Sequence, residues 1–159
     1  MGKVSVTQVF ESASAEETRA LGRRLGALLK AGDYVALSGQ LGAGKTLFAR
    51  AIAEGLGIDV ADVSSPTFSI VQTYRGKVPL HHVDLYRLES LEELTATGYF
   101  DLEPGVSVVE WAEKIPKAIP ADSLRLSFSV LGETSRQIDA AAFGERHRAL
   151  LAVWALDDR

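Results

Sequence analysis

The sequence predicts an α/β fold in which a mixed, mostly parallel central sheet carries helices on both faces. The first observation is a strand–loop–helix unit. An apolar run at 34–37 precedes a glycine-rich loop, and the apolar residues of the segment 47–54 after the loop have helical spacing. The second is a pair of capping boxes, which open two further helices. The third is a pair of β runs joined by a tight turn, which adds an antiparallel hairpin. A single domain is expected over residues 1–159.

The remaining elements are read from hydrophobic alternation and from helix start and stop signals. A strand is expected at 3–10, and the capping box at 14–17 opens a helix that ends near Leu29. The helix after the glycine loop ends at Gly55-Leu56-Gly57. Further strands are expected at 68–74, 78–85, 106–109, 124–131 and 138–141, a short helix from the capping box at 90–93 to near Gly98, and a last amphipathic helix at 145–156.

Residues 39–46 carry the complete phosphate-binding loop pattern, Gly39-x-x-x-x-Gly44-Lys45-Thr46. Glycines let the backbone curl so that its N–H groups converge on phosphate oxygens, and the N-terminus of the following helix adds positive potential. In this pattern the lysine reaches the β and γ phosphates, and the threonine hydroxyl binds Mg²⁺. The alternative is a chance glycine turn before a helix, and the predicted strand and helix that flank the loop argue against it. The expected class is therefore a P-loop NTPase fold.

Composition and charge exclude several classes of function. A net charge of −4 and a pI near 5.4 argue against a large nucleic-acid surface of its own, which is normally basic. The chain has no cysteine, so it forms neither disulfides nor a cysteine–zinc site. No apolar run approaches the ~20 residues of a membrane span, and the N-terminal residues lack the apolar region of a secretory signal. A cytoplasmic protein is expected, with neither DNA nor membrane as a partner.

Two acids at strand ends are candidates for the second Mg²⁺ ligand. Glu110 directly follows the apolar run 106–109, and it is favoured because central parallel strands end beside the phosphate loop. Asp84 ends a more polar run and is expected to order the waters of the metal or a catalytic water. Either acid can instead be an ordinary solvated strand end.

Four other kinds of residue are weaker candidates. Thr67 follows a Ser-Pro pair and either senses the γ-phosphate, as switch loops do, or simply begins a strand. His82 either orients Asp84, touches a phosphate or is structural. Trp111, beside the candidate acid, either packs or stacks on the base. Three arginines are candidate charge clamps, Arg50, Arg87 and Arg136.

The chain closely resembles the bacterial TsaE family, formerly YjeE, over nearly its whole length. The resemblance is carried by four motifs in order: SGQLGAGKT at 38–46, SPTF at 65–68, HVDLYR at 82–87 and VEW at 109–111. Members of that family are small P-loop ATPases that work with TsaB and TsaD. That pair transfers threonylcarbamoyl from an adenylate to the adenosine beside the anticodon of tRNAs reading ANN codons.

The resemblance implies ATP and Mg²⁺ as cofactors and the TsaB–TsaD heterodimer as partner, with tRNA contacted only through the complex. ATP hydrolysis would then reset that complex between turnovers. The resemblance implies that Thr46 and Glu110 bind Mg²⁺, and it implies catalytic roles for Lys45, Thr67, Asp84 and Glu110. The residues implied to contact the nucleotide are Ser14, Ala15, Leu41, Gly42, Ala43, Gly44, Lys45, Thr46, Leu47, Trp111 and Arg136, of which Ser14, Ala15 and Arg136 would flank the base.

Three other classes of protein share the loop. A small-molecule kinase should carry an arginine-rich lid, whereas the segment 114–124 has only Lys114 and Lys117 as basic residues. A regulatory GTPase normally reads guanine with an Asn-Lys-x-Asp motif, and this chain contains no asparagine. An ATP-gated binding module with negligible hydrolysis stays open as the third alternative.

Overall fold

The structure is a computed structural model that describes residues 5–40, 42–59, 61 and 70–156. The strands of this part of the chain are β1 (Ser5–Ser12), β2 (Tyr34–Gly39), β3 (Val71–Arg75), β4 (Pro79–Asp84), β5 (Val106–Glu110), β6 (Ser123–Val130) and β7 (Arg136–Phe143). The helices are α1 (Ala15–Leu28), α2 (Lys45–Gly55), α3 (Leu91–Ala96) and α4 (Glu145–Leu156). Short 3₁₀ turns lie at Tyr99–Asp101, Ala112–Lys114 and Pro116–Ala118.

The strands form one sheet in the order β1-β7-β6-β2-β5-β4-β3. The central strands β6, β2, β5 and β4 pair in parallel, whereas β3, β7 and β1 join through antiparallel pairs. Among the described strands, β7 and β3 run against the other five, so the sheet is mixed and mostly parallel. The hairpin formed by β3 and β4 is the one that the sequence predicts. The predicted fold class is confirmed.

Two apolar cores hold helices on both faces of the sheet. The larger core packs α1, α2 and α4 on one face, and the smaller one packs α3 and the 3₁₀ turns on the other. Trp154 of α4 is fully buried in the larger core, with its ring 4.1 Å from that of Phe10. Its indole N–H donates to the carbonyl of Leu21 at 3.1 Å, so its only polar atom is satisfied.

Both predicted capping boxes form. The hydroxyl of Ser14 accepts a hydrogen bond from the Glu17 N–H at 3.1 Å, and Ser90 does the same for Glu93. Helix α4 has the predicted bounds, whereas β7 extends two residues beyond the prediction at each end because it pairs along its whole length with β1 and β6. None of the helices in the described ranges is both long enough and apolar enough to traverse a bilayer.

Gly26 is placed where α1 crosses α2, and this contact yields a stability prediction. A Cβ at Gly26 would lie 2.2 Å from the carbonyl oxygen of Ile52, which belongs to the backbone of α2. We expect Gly26→Ala to lower the free energy of unfolding by about 2 kcal/mol, because the overpacking exceeds the gain in helix propensity. The control Ala27→Gly changes an exposed position of the same helix and should cost about 1 kcal/mol through propensity alone. Urea denaturation measures both; a Gly26→Ala protein more stable than the parent would contradict this packing.

Candidate nucleotide-binding site

The glycine loop between β2 and α2 lies at the edge of the sheet where the parallel strands end. Gly42 and Gly44 have φ angles of 81° and 104°, in the left-handed region that favours glycine. Gly39 has φ of 134°, and a Cβ there would lie 2.6 Å from the carbonyl oxygen of Phe128 on the neighbouring strand β6. A Cβ at Gly42 or Gly44 would meet nothing within 4 Å, so the space beside both glycines is open, and both line the cavity described below. Leu41, which the sequence also predicts to contact the nucleotide, lies outside the described residues.

Lys45 is the first residue of α2, and its side chain folds back against the backbone of the loop. Its ammonium group donates to the carbonyl of Gly39 and, at 3.4 Å, to that of Gln40. The Nζ atom also lies 3.5 Å from the centroid of the Trp111 ring, which is a cation–π distance. Only 5% of Lys45 is exposed, so the charge is held by main-chain carbonyls and an aromatic face. These partners are weak acceptors compared with a phosphate oxygen, for which the ammonium is well placed.

Three carboxylates support the charge of this buried lysine. Burial lowers the pKa of Lys45, whereas the negative charges of Glu113, Glu110 and Asp84 raise it. Glu113 also accepts a hydrogen bond from the N–H of Gly39 at 3.2 Å, so it contacts the first residue of the loop. Sequence reasoning missed Glu113, because its distance along the chain gives no signal for this contact.

Glu110 and Thr46 bring two oxygen atoms together at the end of β5. The hydroxyl of Thr46 donates to Oε1 of Glu110 at 3.0 Å, and His82 Nε2 lies 2.6 Å from the other carboxylate oxygen. Glu110 is 3% exposed, since β5 lies between β2 and β4 in the sheet. His82 therefore hydrogen-bonds to Glu110, whereas the sequence had suggested Asp84 or a phosphate as its partner.

Asp84 is paired with Glu110 in the register of β4 and β5. Its Oδ1 accepts a hydrogen bond from the N–H of Tyr86 at 2.9 Å. Burial raises the pKa of Asp84, the N–H of Tyr86 lowers it, and the neighbouring carboxylate of Glu110 raises it again. Two carboxylates side by side in a half-buried site are an arrangement that a bound cation stabilises.

Trp111 lines the site, with its ring against the ammonium group of Lys45. It has φ of 59°, a left-handed conformation that costs a bulky residue roughly 1–2 kcal/mol. This conformation follows directly on β5 and brings the ring over Lys45, with the ring of Tyr86 at 4.9 Å. The ring of Trp111 therefore packs against a charged residue of the site, while stacking on a base stays a prediction. Tyr86 was missed as a site residue, although it lies within the HVDLYR motif.

These side chains surround a cavity of about 310 Å³. The residues that line it are Gly42, Gly44, Lys45, Thr46, Leu47, Asp84, Tyr86, Glu110 and Trp111. The described residues contain no cluster of three or more His, Cys, Asp or Glu side chains able to hold a metal. Mg²⁺ fits this site none the less, because it takes hard oxygen ligands and is usually bound by one or two protein oxygens together with phosphates and water. A hydroxyl and a carboxylate oxygen 3.0 Å apart at the foot of an open glycine loop match that pattern.

Comparison with known proteins decides the family. The model of the family "Threonylcarbamoyl adenosine biosynthesis protein TsaE" matches residues 12–138, which is most of the chain. The chain belongs to the TsaE family. The four motifs from which the sequence predicted this membership all lie within the matched range, so the prediction is confirmed.

Individual TsaE relatives are similar over nearly their full length. The tRNA threonylcarbamoyladenosine biosynthesis protein TsaE of Bacillus subtilis is 41% identical over 143 residues, or 89% of each chain. The protein of the same name from Streptomyces coelicolor is 43% identical over 139 residues, covering 80% of this chain and 92% of its own. The crystal structure of Bacillus subtilis YdiB superposes with a TM-score of 0.80 at 33% identity, covering 99% of this chain and 100% of that one.

Three residues that resemblance to TsaE proteins predicts to flank the base lie beside the cavity lining and not in it. The guanidinium of Arg136 donates to the carbonyl oxygens of Ala43 and Gly42 at 3.2 and 3.5 Å, so it braces the loop from outside. Ser14 caps α1, and Ala15 is the first residue of that helix. Arg136 pairs with Ser12 in the register of β1 and β7, which puts the start of α1 near the same flank. The predicted switch residue Thr67 lies outside the described residues.

The hydrogen bonds from Arg136 to the loop carbonyls lead to a prediction for Arg136→Ala. Removing the guanidinium leaves loop carbonyls without a charged donor, so the loop should be less well ordered for phosphate. We expect the affinity for an ATP analogue to fall about 10-fold, or about 1.4 kcal/mol, close to the lower end of the range for one hydrogen bond from a charged donor. Isothermal titration calorimetry measures the change. Arg125→Ala, on the part of β6 away from the loop, is the control. Equal affinities for the Arg136→Ala and parent proteins would show that the loop needs no brace.

Proposed function

We propose that this chain is the ATP-binding and ATP-hydrolysing component of the system that forms threonylcarbamoyladenosine on tRNA. Membership of the TsaE family supports the pathway, because the curated relatives carry that process in their names. The observation that carries the proposed activity is the convergence of Lys45, Thr46 and Glu110 on one cavity at an open glycine loop. Since tRNA modification of this kind takes place where tRNA is used, the proposal also places the protein in the cytoplasm.

In this proposal the loop amides and Lys45 hold the phosphates. The ammonium leaves the carbonyls of Gly39 and Gln40 and moves to the β and γ phosphate oxygens, which are stronger acceptors. Thr46 and Glu110 would hold Mg²⁺, which would neutralise charge on the phosphate oxygens. Once the phosphates are bound, these donors are in place before charge develops, so little reorganisation is needed during hydrolysis itself.

Asp84 is proposed to act on the attacking water. It lines the cavity, is half-buried and has a raised pKa, which brings it closer to the range of a useful general base. The N–H of Tyr86 occupies Oδ1, so Oδ2 is the oxygen that would accept a hydrogen bond from water. Thr67, predicted from the SPTF motif, is proposed to help to place the same water.

The residues that line the cavity lead us to expect slow ATP turnover by the isolated protein. No arginine lines the cavity among the described residues, and Arg136 is turned to the outside of the loop. An arginine that contacts the γ-phosphate contributes roughly 10³-fold to 10⁵-fold to hydrolysis in other P-loop proteins. We therefore expect slow ATP hydrolysis by the chain alone and a marked rise when a TsaB–TsaD pair is added. Release of inorganic phosphate measures both rates, and isolated protein that hydrolyses hundreds of ATP molecules per second would refute this expectation.

The partner is proposed to be the TsaB–TsaD heterodimer, and tRNA is reached only through it. The net charge of −4 supports this division, because a protein that binds tRNA by itself is normally basic. Co-purification with TsaB and TsaD, with and without a non-hydrolysable ATP analogue, tests the proposal. Association that depends on the nucleotide is the expected result. Phosphorylation of a metabolite by the pure protein would favour the small-molecule kinase instead.

A further inference from the structure

A buried histidine–carboxylate pair lies directly behind the proposed Mg²⁺ site. His82 on β4 is 1% exposed and Glu110 on β5 is 3% exposed, and their Nε2 and Oε2 atoms are 2.6 Å apart. The other oxygen of the same carboxylate, Oε1, accepts the hydroxyl of Thr46 at 3.0 Å. The two oxygens of Glu110 thus have different partners, one in the protein interior and one at the cavity.

The environment of the imidazole fixes which nitrogen carries the proton. Nδ1 of His82 is buried and has no hydrogen-bond partner among the described residues. A proton placed there would be a buried donor without an acceptor, and it would also turn the lone pair of Nε2 toward a carboxylate. The proton therefore lies on Nε2 and is donated to Oε2 of Glu110. Metal-binding side chains are commonly held in this way by a hydrogen bond from a second residue.

We propose that His82 is a positioning residue that holds Glu110 so that Oε1 alone faces Thr46 and the metal. The inference rests on the proposed function, because it concerns the same Mg²⁺ site. A glutamate side chain has several freely rotating bonds, and ordering them when a metal binds costs conformational entropy. The hydrogen bond from His82 fixes the rotamer beforehand, in a core where no water is needed to satisfy Oε2.

The neighbouring His81 provides a matched control on the same strand. It points to the opposite face of the sheet and is 2% exposed. Its Nδ1 lies 2.9 Å from the hydroxyl of Thr73, and its Nε2 lies 2.7 Å from the carbonyl oxygen of Glu103. Both nitrogens are satisfied by structural partners away from the cavity, so a change at His81 should affect stability without affecting the metal.

Two substitutions separate the role of Nε2 from simple filling of space. A glutamine amide nitrogen reaches about as far as Nε2, whereas an asparagine amide nitrogen reaches only about as far as Nδ1. His82→Gln should therefore keep the hydrogen bond to Glu110, and His82→Asn should lose it. We expect His82→Asn to reduce the enhancement of nucleotide affinity by Mg²⁺ about 10-fold, a typical effect of losing such a partner. His82→Gln should retain most of the enhancement, and His81→Asn should retain all of it.

The test is calorimetry of a non-hydrolysable ATP analogue with and without Mg²⁺, alongside thermal melting of each variant. The parent protein decides the proposed function: no binding of the analogue at the loop would refute that function. If the parent protein binds the analogue and its affinity depends on Mg²⁺, undiminished Mg²⁺ enhancement in His82→Asn would overturn the inference about His82 and leave the proposed function standing. If His82→Asn does not fold, the His82→Gln protein decides instead. A folded His82→Gln protein that has lost the Mg²⁺ enhancement would overturn the inference, and one that keeps the enhancement supports the inference.

Discussion

Lys45→Ala is expected to weaken the binding of an ATP analogue roughly 100-fold, or about 3 kcal/mol, while the protein stays folded. The ammonium is the one positive side chain among the described residues that line the cavity, and the polyanion loses its main cationic partner without it. The fold should survive, because Lys45 contacts carbonyl groups of its own loop and one aromatic face and not the apolar core.

Lys114→Ala is the matched control for this substitution. Its ammonium donates to the carbonyl of Tyr86 at the rim of the site, where it is exposed. Removing it lowers the positive charge near the cavity by the same amount but should change the affinity less than about 2-fold, since exposed charges are screened. Calorimetry and circular dichroism measure affinity and fold together. A Lys45→Ala protein with unchanged affinity would contradict the assignment of the loop.

The second large effect concerns the two acids. Glu110→Gln is expected to remove most of the dependence of nucleotide affinity on Mg²⁺, whereas Asp84→Asn should leave most of it in place and slow hydrolysis instead. The difference follows from geometry, because Glu110 shares a hydrogen bond with the loop residue Thr46 and Asp84 does not. Both substitutions keep the size of the side chain and remove only the negative charge.

Two measurements separate the roles of the acids. Calorimetry with and without Mg²⁺ gives the metal dependence, and the release of phosphate in the presence of TsaB–TsaD gives turnover. The expected order is a greater loss of metal dependence in Glu110→Gln and a greater loss of turnover relative to affinity in Asp84→Asn. The reverse order in both measurements would exchange the two roles.

Local sequence patterns predict the parts of the structure that depend on neighbouring residues. The capping boxes at 14–17 and 90–93 fix the starts of α1 and α3, because the bonds they make are within one helical turn. The phosphate loop is equally local: its glycines are required by positive φ angles within a few residues. The placement of Glu110 beside this loop was also predictable, since an apolar run of that kind is typical of a central strand.

Contacts between distant segments were not predictable in this way. The brace from Arg136 to Ala43 spans 93 residues, and the contact of His82 with Glu110 spans 28. Each depends on the strand order, which hydrophobic periodicity does not specify. The left-handed conformation of Trp111 is a third example, because nothing in a tryptophan predicts a positive φ. These three features shape the candidate site, and they are visible only once the sheet is assembled.

A crystal structure of the protein with a non-hydrolysable ATP analogue and Mg²⁺ tests the central claim most directly. We expect the triphosphate to lie inside residues 42–46, with the ammonium of Lys45 moved from the Gly39 carbonyl to the β and γ phosphates. The metal should be bound through Thr46 and Glu110. An empty glycine loop, with the nucleotide bound elsewhere on the chain, would contradict the account.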